Sequence, residues 1–116
     1  MKAAQDYLSM KEYQEKMEDK TGFKPFPGTL NLKADKEQVK KLEKKTKKKR
    51  INSFQVKDKK YSGLTLYPVK INGLKAYYID IDITDYGKDV IELIAPEKLR
   101  EKLGLEDGDQ VEVTGL

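Results

Sequence analysis

The sequence predicts a mainly β fold, a small β-barrel of about six strands with two short helices appended. Three observations carry that prediction. Short apolar runs of strand length recur from residue 54 onward, and Asn72-Gly73, a strong hairpin signal, joins the two longest of them. The chain shows neither the β-α-β alternation of a parallel sheet nor an internal repeat. Its 116 residues suit one domain spanning 1–116, with room for a single small core.

Each element has its own local reason. Ser9-Met10-Lys11-Glu12 is an S-x-x-E capping box that opens a helix, with Tyr13 and Met17 on one face at i, i+4 and Gly22 as the stop. "FPGTLNLK", residues 26–33, reads as a turn followed by a strand. Alternation there sends Leu30 and Leu32 toward a core and Thr29 and Asn31 together to the other face. Residues 36–50 hold nine Lys/Arg against two Glu, a local charge of +7 that leaves −3 for the rest of a +4 chain. Such a block repels itself, so it reads as a mobile loop or a solvated helix surface. "FQV", "SGLTLYPVKI", "LKAYYIDIDI" and "VIELI" then read as strands. Pro96 suits a first helical position, "EKLREKL" buries Leu99 and Leu103 at i, i+4 before Gly104, and Asp107-Gly108 turns the chain into a last strand, "QVEV".

Composition excludes several chemistries. With no histidine and no cysteine, the chain can build neither a Ser/His/Asp or Cys/His nucleophile nor a thiolate zinc site. Acid–base work would fall to carboxylates, lysine, tyrosine or bound water. The chain is 37% hydrophobic and 38% charged with a mean hydropathy of −0.80, and no apolar run approaches the roughly 20 residues that span a bilayer. No membrane partner is expected, and with no signal-like core at the start the expected location is the cytoplasm. The lysine block lacks interleaved aromatics and matches no nucleic-acid-binding motif, so a nucleic-acid partner is not the first expectation.

Thr29 and Asn31 offer a hydroxyl and a carboxamide oxygen on one surface. Both are hard ligands, and Mg²⁺ characteristically takes few protein ligands and completes its octahedron with water and phosphate oxygens. Pro27-Gly28 just ahead of them could let the backbone pass close to a phosphate. The same pair also suits a half-exposed strand with a purely structural role.

"GFKPFPGTLNLK" resembles the G-F-x-P-[YF]-x-G-T-L-N-[LV] signature of the archaeal CTP-dependent riboflavin kinases. "DYLSMKEY", "YPVKI" and "VIELIAPEKLREKLGLEDGDQVEV" resemble segments of the same family in the same order. The resemblance implies a six-stranded cradle-loop barrel that transfers the terminal phosphate of CTP to riboflavin, making FMN and CDP with Mg²⁺. Carried over position by position, it makes Thr29 and Asn31 the Mg²⁺ ligands and places Thr84 and Glu92 at the flavin. It makes Glu97, Lys98, Leu99 and Arg100, at the opening of the second helix, a nucleotide-binding segment. Asp80, Asp82 and Asp85 are candidate proton acceptors only by their place in the sequence.

The family opens with a strand and a glycine-rich loop, S-G-x-G-x-[GA], and the sequence begins within the tail of that loop. Ala3, Ala4 and Gln5 are therefore the nucleotide-binding positions implied there, and the expectation is weakened CTP binding and an open sheet edge that invites an edge-mediated dimer. Two other readings stand beside the kinase: a shortened or engineered barrel that keeps the fold without efficient catalysis, and a basic nucleic-acid-binding module.

Overall fold

The structure, a computed structural model, describes residues 10–82 and 89–116. Among them the chain runs through α1 (Lys11–Thr21), β1 (Leu30–Lys33), α2 (Lys36–Lys45), β2 (Lys49–Ile51), β3 (Phe54–Val56) and β4 (Lys59–Tyr61). It continues through β5 (Leu64–Ile71), β6 (Leu74–Ile81), β7 (Val90–Ile94), α3 (Leu99–Lys102) and β8 (Val113–Gly115). The fold is mainly β, a curled antiparallel half-barrel consistent with the expected small cradle-loop barrel. Its main sheet has the order β1-β7-β6-β5-β2, and β8 pairs with β5 beyond the stretch that β2 covers.

Double burial of the two longest strands organises this sheet. Leu64 and Leu66 of β5, with Ile79 and Ile81 of β6, Ile51 and Ile94, pack beneath Tyr13 and Met17 of α1. The opposite side chains, Tyr67, Val69 and Ile71 of β5 with Ala76 and Tyr78 of β6, Leu30, Ile91 and Leu93, pack with Val39 of α2 and Leu99 of α3. Both faces are therefore core, which explains why β5 and β7 read as nearly continuous apolar runs. Each fully buried leucine among them contributes about 1.5–3 kcal/mol relative to exposure. Between β5 and β6, Asn72 at φ 48° and Gly73 at φ 83° form the tight turn expected of Asn-Gly.

Gly63 marks a close approach. A β-carbon on it would meet the Ile51 carbonyl oxygen and the Ser53 backbone nitrogen at 2.8 Å, so the chain from β2 to β3 can cross it only because no side chain is there.

Several expectations need correction. The lysine-rich stretch 36–50 is not a mobile loop but α2 followed by β2. Asp35 caps α2 by accepting from the Glu37 N–H at 2.9 Å, and Val39 is buried beneath it, so its lysines are solvated on an anchored helix. Helix α1 starts one residue later than the capping box proposes, with Met10 as N-cap and no side-chain cap; Ser9 lies outside the described residues. Helix α3 begins only at Leu99, because Pro96 and Glu97 form a bend and Lys98 is the N-cap. Three helices and eight strands are present among the described residues, against two and about six. The last strand is Val113–Gly115, shifted toward the C-terminus so that it shares only Val113 with the expected "QVEV".

Candidate active site

Strand register brings the expected site residues together. Asn31 of β1 stands directly opposite Glu92 of β7, and Glu92 stands opposite Ile79 of β6. Directly opposed side chains in an antiparallel pair have β-carbons about 5 Å apart, so Asn31 and Glu92 share one patch of the face beneath α1. Thr29 joins them: its hydroxyl donates to Asn31 Oδ1 at 3.0 Å. Leu30 and Leu32 point to the opposite core, as alternation requires.

Thr29 and Asn31 fit a small hard cation. Two oxygens on neighbouring vertices of a Mg²⁺ octahedron, with metal–oxygen distances of about 2.0–2.1 Å, lie about 2.9 Å apart, close to the observed separation. Among the described residues no cluster of three or more carboxylate, histidine or cysteine ligands exists. A cation here would be held by few protein oxygens and completed by substrate and water.

Glu92 is the sole charged side chain buried among the described residues, at 4% exposure. A carboxylate in such surroundings is tolerated only with polar partners, and no buried polar side-chain atom among the described residues lacks one. Thr84, the other residue implied at the flavin, and Ala3, Ala4 and Gln5 lie outside the described residues, as does Asp85.

Glu97 to Arg100 line a small cavity of about 60 Å³ with Phe26, Gly28 and Thr29. The expected nucleotide segment thus meets Thr29 of the expected metal pair, across a cavity that Leu30, Leu93 and Leu99 also wall; Asn31 does not line it. Its cations are matched by nearby anions: Lys98 lies 3.7 Å from Glu101, Lys102 3.3 Å from Glu97, and Arg100 2.8 Å from Asp107. Arg100 also reaches a larger groove of about 790 Å³ that runs between β1, α2 and the 105–113 segment, with Leu30, Leu32, Val39 and Leu42 in its wall.

A second polar cluster, which sequence reasoning missed, occupies the opposite face. Arg50 donates to both carboxylate oxygens of Asp82, at 2.7 Å for the Nη1 bond, and Nη1 also donates to Thr65 at 3.1 Å. Hydrogen bonding to Arg50 holds the Asp82 carboxyl below its usual range despite some desolvation. Beside it, Tyr78 donates to Glu43 of α2 at 3.1 Å and stacks on Tyr67 with ring centroids 4.9 Å apart. Burial, then the charges of Glu43 and Asp80, push the Tyr67 hydroxyl up to about 12, and burial raises Tyr78 as well. Asp80 lies opposite Thr65 and Arg50 opposite Thr65 in the register, so Asp80 and Asp82 face away from Thr29 and Asn31. That corrects their candidacy as proton acceptors at the metal pair. The only sequence signal for this cluster was two-residue alternation, which places 78, 80 and 82 on one side of β6.

Comparison with known proteins adds to the geometry. The family model CTP-dep_RFKase, described as "Domain of unknown function DUF120", matches residues 1–114. The riboflavin kinase of Methanocella arvoryzae is 42% identical over 117 residues, covering 95% of this chain and 50% of that protein. Those of Archaeoglobus fulgidus and Methanosarcina acetivorans are 36% and 38% identical over 110 residues, each covering 92% of this chain and 47% and 46% of those proteins. The chain spans about half the length of the curated relatives it matches.

Proposed function

The chain belongs to the CTP-dependent riboflavin kinase family, and we propose that it phosphorylates riboflavin to FMN, taking the terminal phosphate of CTP with Mg²⁺. The observation that carries this reading is the convergence of Thr29, Asn31 and Glu92 on one face, with the 97–100 segment lining a cavity beside Thr29. Riboflavin and CTP are the partners so implied. Among the described residues no helix is long and apolar enough to cross a membrane.

In this reading Thr29 and Asn31 hold Mg²⁺, which supplies charge neutralisation on the transferring phosphoryl group when bound. Phosphoryl transfer asks the protein mainly for alignment and charge stabilisation. The β1–β7 ladder serves the first need, because register fixes Asn31 against Glu92 without loop freedom. Glu92, buried on β7, accepts hydrogen bonds from the flavin side of the site. The Glu97–Arg100 segment contacts the nucleotide through its backbone, since Lys98 and Arg100 are already matched by Glu101 and Asp107.

The test is FMN formation by the purified chain from riboflavin with Mg²⁺ and either CTP or ATP. The expected result is FMN with CTP, little with ATP, and none after chelation of the metal. No FMN with CTP at saturating riboflavin and Mg²⁺ overturns the reading.

A further inference from the structure

The connection between α1 and β1, residues 23–29, has no regular structure, yet it is tied down at several points. Thr21 Oγ1 donates to the Phe23 carbonyl at 3.0 Å and Gln14 Nε2 to the Pro25 carbonyl at 3.1 Å, so α1 holds its first half. The Phe26 N–H donates to the Ala95 carbonyl at 2.8 Å, just past the end of the β1–β7 ladder. The Gly28 N–H then returns to the Phe26 carbonyl at 2.7 Å. That bond between residues two apart closes a γ-turn about Pro27, whose ring fixes φ near −65°, close to what the inverse form of the turn needs. Thr29 is the next residue, and its hydroxyl meets Asn31.

Phe26 joins two parts of the site. Its backbone anchors Ala95, the last buried residue before the exposed stretch 96–98, and Leu99 anchors the other end of that stretch in the core. Its side chain lies against Gly28: a β-carbon there would stand 3.0 Å from Phe26 Cε1 and 3.4 Å from Cδ1. Gly28 does not have a positive φ, so the position is demanding because of the space the ring takes and not because of its backbone. Phe26 also lines the small cavity that separates Thr29 from residues 97–100.

We infer that Phe26 is a positioning residue for the phosphoryl transfer: its N–H and its ring together set the placement of Thr29 against the 97–100 segment. This rests on the riboflavin kinase reading. Phosphoryl transfer depends on alignment, and a displacement of about 1 Å at such a site costs on the order of 100-fold in rate. One hydrogen bond is a weak constraint on a turn whose central residue, Pro27, is exposed. The ring packed on Gly28 supplies the rest, and the bond to Ala95 ties the same residue to the strand end from which the 97–100 segment departs. Phe26 thus acts through Thr29 and Ala95 rather than on a substrate.

The experiment compares wild type with Phe26→Ala, Phe26→Tyr, Gly28→Ala and the double variant Phe26→Leu/Gly28→Ala. It measures CTP affinity by calorimetry with and without Mg²⁺, riboflavin affinity by flavin fluorescence, kcat and KM for FMN formation, and unfolding in urea. Phe26→Ala and Gly28→Ala are each expected to lower kcat about tenfold and to cut the gain in CTP affinity that Mg²⁺ brings by a similar factor, with riboflavin affinity unchanged within about twofold. Phe26→Tyr keeps the ring and is expected to match wild type within about twofold. In the double variant the shorter leucine leaves room for the new methyl group, so kcat is expected to recover about threefold over Gly28→Ala. Wild-type kcat and an undiminished Mg²⁺ gain in Phe26→Ala and Gly28→Ala overturn the positioning role and leave the kinase reading intact. Parallel loss of riboflavin affinity, CTP affinity and stability also overturns it, since that pattern marks a packing role. A wild-type chain that makes no FMN from CTP overturns the functional reading and this inference with it. Gly28→Ala retains the aromatic side chain, so it decides the matter if Phe26→Ala fails to fold.

Discussion

Two polar clusters lie on opposite faces of one sheet, and they are finished differently. On the face beneath α2, Arg50 and Asp82 form a two-pronged ion pair with Thr65 attached, and Tyr78 is tied to Glu43. Those groups tether β2, β6 and α2 to one another. On the face beneath α1, Thr29 and Asn31 are neutral oxygens that share one hydrogen bond; Asn31 stands opposite a buried carboxylate, and Thr29 also borders a small cavity. The difference is instructive: a charged cluster is structural when its charges are saturated within the fold, while a modest neutral pair becomes a candidate site when its lone pairs still have capacity for a ligand.

The comparison breaks most sharply at Thr29. Thr29→Val is nearly isosteric and removes one hard oxygen, so FMN formation is expected to fall about 100-fold, or about 2.7 kcal/mol. Its unfolding free energy should stay within about 1 kcal/mol of wild type, because the lost hydrogen bond is exposed. Activity is read from FMN formation and stability from urea melts. A variant as active as wild type removes the metal role and makes the two clusters equivalent.

Alkaline titration probes the other face. Tyr67 has its hydroxyl raised to about 12 from an ordinary value near 10, so its neutral form is favoured in the folded state. The sign follows from linkage: the contribution is fully present below about pH 10 and is lost as pH rises through about 12, when the unfolded chain ionises first. Tyr78 shifts the same way and reinforces the loss. Stability should therefore decline from about pH 10 upward, with tyrosinate absorbance lagging behind that of a free tyrosine. Ordinary tyrosine titration in the folded chain would mean the pair is not held as described.

A smaller effect is expected from Tyr78→Phe, which keeps the stacked ring and deletes only the bond to Glu43. Loss of one such bond costs about 1 kcal/mol, or up to about 3 if Glu43 is left poorly solvated. FMN formation should be unchanged, since the residue faces away from Thr29 and Asn31. Loss of activity without loss of stability would move this cluster into the functional site.

The sequence was legible wherever one residue's neighbours in the chain decided its state. The Asn72-Gly73 hairpin, the Val90–Ile94 strand and the shared face of Thr29 and Asn31 all follow from local turn chemistry or two-residue alternation. The opposition of Asn31 and Glu92 was not readable, because it depends on which strands pair and in what register. Helix α2 was legible only as one of two readings, a solvated helix surface beside a mobile loop: its charge density suggests repulsion, while the Asp35 cap and the apolar side chains of Val39 and Leu42 supply the anchorage that decides for the helix. Lys59–Tyr61 escaped because a strand with two exposed lysines carries no alternating apolar pattern. Arg50 and Asp82, thirty-two residues apart, meet only through the β2–β5–β6 ladder.

Those exposed lysines sharpen the contrast between saturated and available charge at its weakest point. Lys44 and Lys45 end α2, Lys47 and Lys48 follow it, and all four are exposed, while Leu42 and Val39 of the same helix form part of the groove wall that Asn31 and Arg100 also line. The four lysines give that end of the helix a positive field, which screening confines to about 10 Å at 0.1 M salt. Replacing the four by glutamine keeps helix propensity and removes favourable charges at a helix C-terminus, so stability should fall by no more than about 1 kcal/mol. The apparent second-order rate for CTP should fall about threefold at low salt and match wild type at high salt, because steering acts on encounter rather than on the bound state. Measuring that rate against ionic strength decides between two roles. A loss that persists at high salt means these side chains touch the nucleotide, and α2 then belongs to the site rather than to its surroundings.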